Sequence, residues 1–213
     1  MKIQQQDMEN KALKEKVSPL NEFLWGFIGL ILTVLGTFVE AFVAFPSFQP
    51  ENPYFRPHSL GVTYQIAGVL LTGCLGGQNA AAYAQIAYVV LGLFKLPVFA
   101  QGGGFDYLQQ PSFGYILGFI PGAWLCGYLA FPGKRRLESL TLCAVLGLMV
   151  IHLCGIIYIL GLSFISPLFG NDVAANYIPE TINIYSIQTL PSQLIIVCAV
   201  ALISFIIRLI LLY

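Results

Sequence analysis

The sequence predicts an all-α integral membrane protein of six transmembrane helices, with the N- and C-termini both cytoplasmic. Three observations predict it. Apolar residues make up 57% of the chain and charged ones only 9%, against roughly 25% charge in an average soluble domain. The mean hydropathy is +0.78. A chain of 213 residues, at about 20 residues per spanning helix plus loops, has room for roughly five to seven spans in one bundle. The formal net charge is zero, which argues against a nucleic-acid partner; the implied surroundings are a lipid bilayer.

Taken in order, residues 1–23 (MKIQQQDMENKALKEKVSPLNEF) mix both charge signs and contain no apolar core with a cleavage site. They read as a soluble cytoplasmic tail rather than a secretory signal, leaving 24–213 for the transmembrane domain. Leu24 to Phe45 is the first expected span, with Trp25 as an interface anchor and Glu40 near its far end, snorkelling to the outer interface. Phe45 to His58 holds four prolines and reads as an interfacial loop. Leu60 to Leu75 and about Gln78 to Phe94 are the second and third spans.

Leu96 to Tyr115 (LPVFAQGGGFDYLQQPSFGY) forms a loop in which Gly102 to Gly104 lie between Pro97 and Pro111. Backbone groups can lie open to a ligand there, and Asp106 reads as a solvated turn residue. Phe113 to Phe131 is the fourth span. Gly114, Gly118 and Gly122 recur every fourth residue in it, a small-residue stripe against which a neighbouring helix can pack at near backbone contact, and Pro121 predicts a kink. Glu138 to Phe164 is a long fifth span that should tilt, Ile165 to Leu190 a second outer loop, and Pro191 to Tyr213 the sixth span.

Basic residues orient these spans. An inside N-terminus puts Lys2, Lys11, Lys14, Lys16, Lys134, Arg135, Arg136 and Arg208 in the cytoplasm and only Arg56 and Lys95 outside, eight against two. Both long loops then lie on the outer face.

Hydrolytic and phosphate-binding motifs are absent: there is no GxSxG or HExxH, and no GK[ST] follows the triple glycine. The five cysteines all fall in apolar runs without CxxC spacing and read as small core residues. His58 and His152 read as hydrogen-bonded structural histidines. No enzyme, cofactor or metal site is expected. What stands out is a set of uncharged hydrogen-bonding groups near the outer helix ends: Tyr64, Gln65, Gln101, Gln109, Gln110, Ser112, Tyr115 and Gln193. They either bond one another across helices or meet a polar, neutral ligand head. An ion path would instead place several acids or bases at mid-membrane.

Several of these residues stand in a recognisable order. Pro97-Val98-Phe99, Gly102-Gly103-Gly104 and Gln110-Pro111-Ser112-Phe113-Gly114-Tyr115-Ile116-Leu117-Gly118-Phe119 resemble the PVF, glycine-loop and PT(G/F)GYLxGF pattern of the BioY family. Val62-Thr63-Tyr64-Gln65 and Tyr88-Val89-Val90-Leu91-Gly92 are similar to its V-T-x-Q and YxxLG elements, so the likeness spans roughly residues 60 to 130. The resemblance implies the biotin-binding substrate-capture (S) subunit of an energy-coupling-factor (ECF) transporter: a six-helix vitamin cup in a prokaryotic cell membrane, giving high-affinity uptake of biotin. Its implied partners are a transmembrane coupling subunit and two ATPase subunits; this chain has no P-loop of its own.

In the family, the last span opens with a PxD element followed three residues later by lysine, and both help bind the vitamin. Aligned on Pro191, this chain has Gln193 and Ile196 at those positions. The expected site is therefore Phe99, Phe105 and Tyr115 over the apolar ring, and Gln65, Ser112 and Gln193 on the ureido group. The N–H groups of Gly103 and Gly104 are expected on the carboxylate, with Lys95 as outer charge partner. Gly26, Gly29 and Gly36 of the first span are expected to serve in docking the coupling subunit. Two other readings stay open: capture of a different, uncharged small molecule, and a membrane scaffold protein without a ligand.

Overall fold

The computed structural model describes residues 19–46, 55–131, 136–165 and 178–211. The predicted tail lies outside these residues up to position 18, and the first helix, α1 (Pro19–Phe38), begins inside the rest of it. The chain then runs through β1 (Glu40–Pro46), β2 (Phe55–Thr63), α2 (Gln65–Leu93), α3 (Phe113–Ala130), α4 (Leu137–Ile165), the short α5 (Ile178–Ile182) and α6 (Leu190–Ile210). Among the described residues, four segments are apolar and long enough to cross a membrane: Pro19–Phe38, Phe113–Ala130, Leu137–Phe164 and Ile178–Ile210.

α1 buries a stripe of small residues, Gly26, Gly29, Thr33, Gly36 and Thr37, and leaves Leu20, Phe23, Leu24, Phe27, Ile31 and Leu35 exposed. The stripe faces α2 at backbone distance: a Cβ on Gly36 would sit 2.7 Å from the carbonyl oxygen of Tyr64, and one on Gly29 would run into the Thr72 side chain. The three glycines expected to dock the coupling subunit are thus used inside the molecule. Thr33 and Thr37 donate their hydroxyls back to the carbonyls of Gly29 and Thr33, at 2.9 and 2.8 Å, which satisfies them within their own helix.

The first expected span stops at Phe38, short of Phe45, and the proline-rich loop is largely a hairpin. β1 and β2 pair antiparallel, Val43 opposite His58 and Ala44 opposite Pro57, with an irregularity between Glu40 and Phe42. Pro46 and Pro57 are compatible with strand because a two-stranded sheet is all edge. Glu40 opens β1 rather than closing a helix, and its carboxylate accepts the Ser59 hydroxyl across the hairpin.

α2 corrects the second expected span and joins it to the third. The helix starts at Gln65, not Leu60, and breaks at Gly77, whose φ of 83° and ψ of 178° are far from helical. The break is a reversal. At 1.5 Å per residue a straight helix would hold Gln65 and Tyr88 about 35 Å apart, yet Gln65 Nε2 donates to Tyr88 Oη at 2.8 Å. Two antiparallel arms result, 65–76 and 78–93, meeting where the sequence leaves a gap between its expected spans.

α3 packs on α4 along the predicted glycine stripe. A Cβ on Gly118 would lie 2.9 Å from the Ile151 carbonyl oxygen, and one on Gly122 2.8 Å from that of Gly147. α3 continues through Pro121. The expected outer loop 165–190 contains α5 and a π-type turn, Asn183–Ile187, among its described residues. α6 completes the bundle, with Ile196, Val197, Val200 and Ala201 in the core.

The reversal defines two ends. At the Gly77 end lie the start of α1 and the ends of α3 and α6. Arg208, 6% exposed, donates there to the carbonyl oxygens of Cys74 and Ala130, with Nε and Nη1 each at 2.9 Å, and lies 5.2 Å above the Phe131 ring. At the loop end α2, α3 and α6 begin, α4 finishes, and the hairpin and residues 94–112 cover the bundle.

Candidate functional site

The loop 94–112 is pinned down. Lys95 stands in the left-handed region at φ 65°, in the αL position that ends α2, and is exposed. A tight turn follows, closed by reciprocal hydrogen bonds between Phe99 and Gly102, each 3.0 Å; Gly102 takes φ 107°, a conformation that suits glycine. Phe99, 1% exposed, is driven against Gly92 and packs edge-on to Tyr88 at 5.3 Å and against Tyr107 at 4.7 Å. Tyr88 donates its hydroxyl to the Val98 carbonyl at 2.9 Å and receives Gln65. Tyr158 of α4 donates to the Leu108 carbonyl.

The glycines serve this anchoring. Gly103 has no room for a side chain, since a Cβ would fall 2.3 Å from the Leu96 carbonyl oxygen. The N–H of Gly104 is bonded to the Gly92 carbonyl at 2.7 Å, so it is not open to a ligand carboxylate, and the expected pair of donors is reduced to that of Gly103. Phe105 is 62% exposed and opens a 3-10 turn, Phe105–Gln109, whose Tyr107 is buried.

A second cluster joins α3, α4, the π-type turn and α6. Tyr115 Oη lies 2.6 Å from Ser186 Oγ, which is 3.1 Å from His152 Nδ1, and His152 Nε2 is 2.7 Å from Gln193 Oε1. The Tyr115 ring meets the imidazole edge-on at 5.6 Å and the Tyr185 ring at 6.0 Å, above the bare backbone of Gly155. His152, Ser186 and Gln193 are all buried. A π-type turn widens the helical spacing by one residue, and this one holds the buried Ser186 hydroxyl between the Tyr115 hydroxyl and His152 Nδ1.

All nine expected site residues therefore gather at one end of the bundle, but in different settings. Gln65 joins Tyr88 beneath the loop; Tyr115 and Gln193 share the His152 cluster; Ser112 stands half-buried at the start of α3, where its carbonyl receives the N–H of Tyr115 at 3.1 Å. Phe99 is sealed in the core, while Lys95, Gly103 and Phe105 are exposed. Ile196, at the position of the family's lysine, is 3% exposed and packs in the core. Sequence reasoning did not bring Tyr88, His152 or Ser186 into the candidate site. Their partners lie between 10 and 71 residues away, a separation no local motif reveals.

Known proteins resemble this chain over most of its length. A family model described as the BioY family matches residues 14–211. The chain is 31% identical over 189 residues to an uncharacterized 21.2 kDa protein of Cyanophora paradoxa, covering 87% of this chain and 93% of that one. It is 30% identical over 154 residues to the biotin transporter BioY of Rhizobium etli, covering 67% and 80% respectively. With a probable biotin transporter BioY of Lysinibacillus sphaericus it shares 37% over 128 residues, 58% of each chain. The crystal structure of the S-component for biotin from an ECF-type ABC transporter has the same fold, with a TM-score of 0.59 at 20% identity over 93% of both chains.

Proposed function

The chain belongs to the BioY family, and on that premise we propose that it captures biotin at the loop end of the bundle as the S component of an ECF-type transporter. It is a transport subunit and not an enzyme. The observation that carries this function is the family match over residues 14–211, which spans every described residue. The gathering of Gln65, Tyr115 and Gln193 at one end under an anchored loop supports the placement of the site.

Six spans follow if each arm of α2 crosses the membrane. The two arms are rich in Gly and Ala and carry Gln65, Gln78 and Gln85, which suits helices buried among others rather than facing lipid. With six crossings, the Gly77 end and both termini lie in the cytoplasm of a prokaryotic cell, on the side where the basic residues accumulate. Biotin enters from the outer face: Gln65, Ser112 and Gln193 serve its ureido group, Phe105 and Tyr115 its ring, and Lys95 with the Gly103 N–H its carboxylate. The coupling subunit and two ATPases dock elsewhere than on Gly26, Gly29 and Gly36; the exposed Phe23, Phe27 and Ile31 of α1 face outward and are free for such a contact.

Expression in a biotin-requiring host lacking its own transporter tests the function. Growth on low biotin should depend on this chain, and on a co-expressed coupling module if the ECF assignment holds. Failure to restore growth with the module present, in cells shown to hold the protein in the membrane, would contradict it.

A further inference from the structure

The cluster of Tyr115, Ser186, His152 and Gln193 has a direction, because not every atom in it can donate. The oxygen of an amide only accepts. His152 Nε2, 2.7 Å from Gln193 Oε1, therefore carries the imidazole proton, which leaves Nδ1 with a lone pair. Nδ1 accepts a hydrogen bond from the Ser186 hydroxyl, 3.1 Å away. Ser186 oxygen in turn accepts from the Tyr115 hydroxyl at 2.6 Å. Every mobile proton in the chain is then assigned, and two groups are left at its ends. Gln193 keeps both N–H bonds of its amide, for which no hydrogen bond is recorded among the described residues; nor is that nitrogen sealed in, unlike the orphaned Gln85 Oε1 and Ser204 Oγ. Tyr115 keeps oxygen lone pairs and has no proton left to give.

We propose that His152 and Ser186 are positioning residues that fix the hydrogen-bond polarity of the site, holding Gln193 as a donor and Tyr115 as an acceptor toward a ligand that carries a carbonyl beside an N–H. The cyclic urea of biotin is such a group: its oxygen takes the Gln193 N–H and its N–H meets the Tyr115 oxygen. This rests on the biotin-capture function and adds the reason for a buried histidine in α4. The polarity matters once a ligand has displaced water there, since a donor facing a donor leaves both unsatisfied.

Among the described residues, the other groups that face His152 are neutral. They are Tyr115 from α3, Ser186 and the nearby Tyr185 from the π-type turn, and Gln193 from α6. Deleting the Ser186 hydroxyl removes the proton that holds the imidazole in one tautomer. The Gln193 amide is then free to turn over and present oxygen instead of nitrogen.

The experiment compares equilibrium binding of biotin and 2-iminobiotin to the full chain in lipid nanodiscs. In 2-iminobiotin a protonated guanidino group replaces the urea and offers only donors. Wild type should prefer biotin by at least about tenfold, the equivalent of one buried hydrogen bond. Ser186→Ala should narrow that ratio several-fold, and Gln193→Glu should remove or invert it by supplying an acceptor. The ratio is read on a single sample, so partial loss of folded protein does not disturb it. A ratio unchanged in Ser186→Ala, or a wild-type preference for 2-iminobiotin, overturns the polarity. Absence of biotin binding by wild type would instead overturn the biotin-capture function itself.

Discussion

Arg208 and Cys74, 134 residues apart, are joined by a hydrogen bond of 2.9 Å from the guanidinium Nε to the carbonyl oxygen. The break at Gly77 leaves the last carbonyls of the 65–76 arm without helical partners, and the end of α3 has the same need. One buried cation at the end of α6 answers both, through Cys74 and Ala130, and its charge suits the negative ends of both helices.

Arg208→Met keeps much of the side-chain volume but leaves these carbonyls unpaired. It should destabilise the protein by about 2–4 kcal/mol, read as a lower midpoint in thermal unfolding of the purified protein. Arg208→Lys, a point charge without the planar fork, should recover only part of the loss.

The close packing of α3 on α4 predicts a contrast between two glycines. Gly118→Val would push a side chain to within 2.9 Å of the Ile151 carbonyl oxygen, forcing the helices apart at a cost of about 1–3 kcal/mol. Gly161, in α4, has nothing within 4 Å of a built Cβ, so Gly161→Ala should be neutral or raise stability by up to about 1 kcal/mol through helix propensity. Thermal midpoints of the two variants, measured side by side, check the pair.

Tyr88 predicts how firmly the loop is held. Tyr88→Phe keeps the ring beside Phe99 but removes the hydroxyl that donates to Val98 O and receives Gln65. The loss should be about 1–3 kcal/mol, concentrated locally. Hydrogen exchange should speed up at residues 98–104 with little change in α4 or α6, and biotin should dissociate faster.

Gly103 predicts a packing defect in the same loop. Gly103→Ala places a Cβ 2.3 Å from the Leu96 carbonyl oxygen, and the turn must shift to make room. The hydrogen bond from Gly104 to Gly92 should weaken, seen as faster exchange of the Gly104 amide. The variant should bind biotin more weakly with a similar overall unfolding midpoint.

The parts of the fold written into local spacing were legible. Gly114, Gly118 and Gly122 form a stripe on any helix, and a stripe of small residues needs a neighbour. The interruption near Gly76 and Gly77 separated two expected spans, where the structure turns the chain back. The hairpin was not legible: prolines at 46, 50, 53 and 57 read as loop, and only the pairing of two edge strands makes Pro46 and Pro57 admissible. Arg208 was counted as a cytoplasmic charge; that it would be buried depends on helix ends supplied by distant parts of the chain. His152 reads from the sequence as a hydrogen-bonded structural residue, but its partners lie 34 and 41 residues away and no local pattern names them. For the candidate site, residue type picked out side chains that the structure brings to one end of the bundle. It did not distinguish Phe99, a core anchor, from Phe105, which stands exposed.

Saturation binding of radiolabelled biotin to the purified full chain in nanodiscs tests the central claim most directly. Saturable binding at one site per chain, displaced by unlabelled biotin and weakened at least about tenfold in Gln193→Ala, is the predicted result. Binding that does not saturate, or that survives Gln193→Ala unchanged, would contradict capture of biotin at the loop end of this bundle.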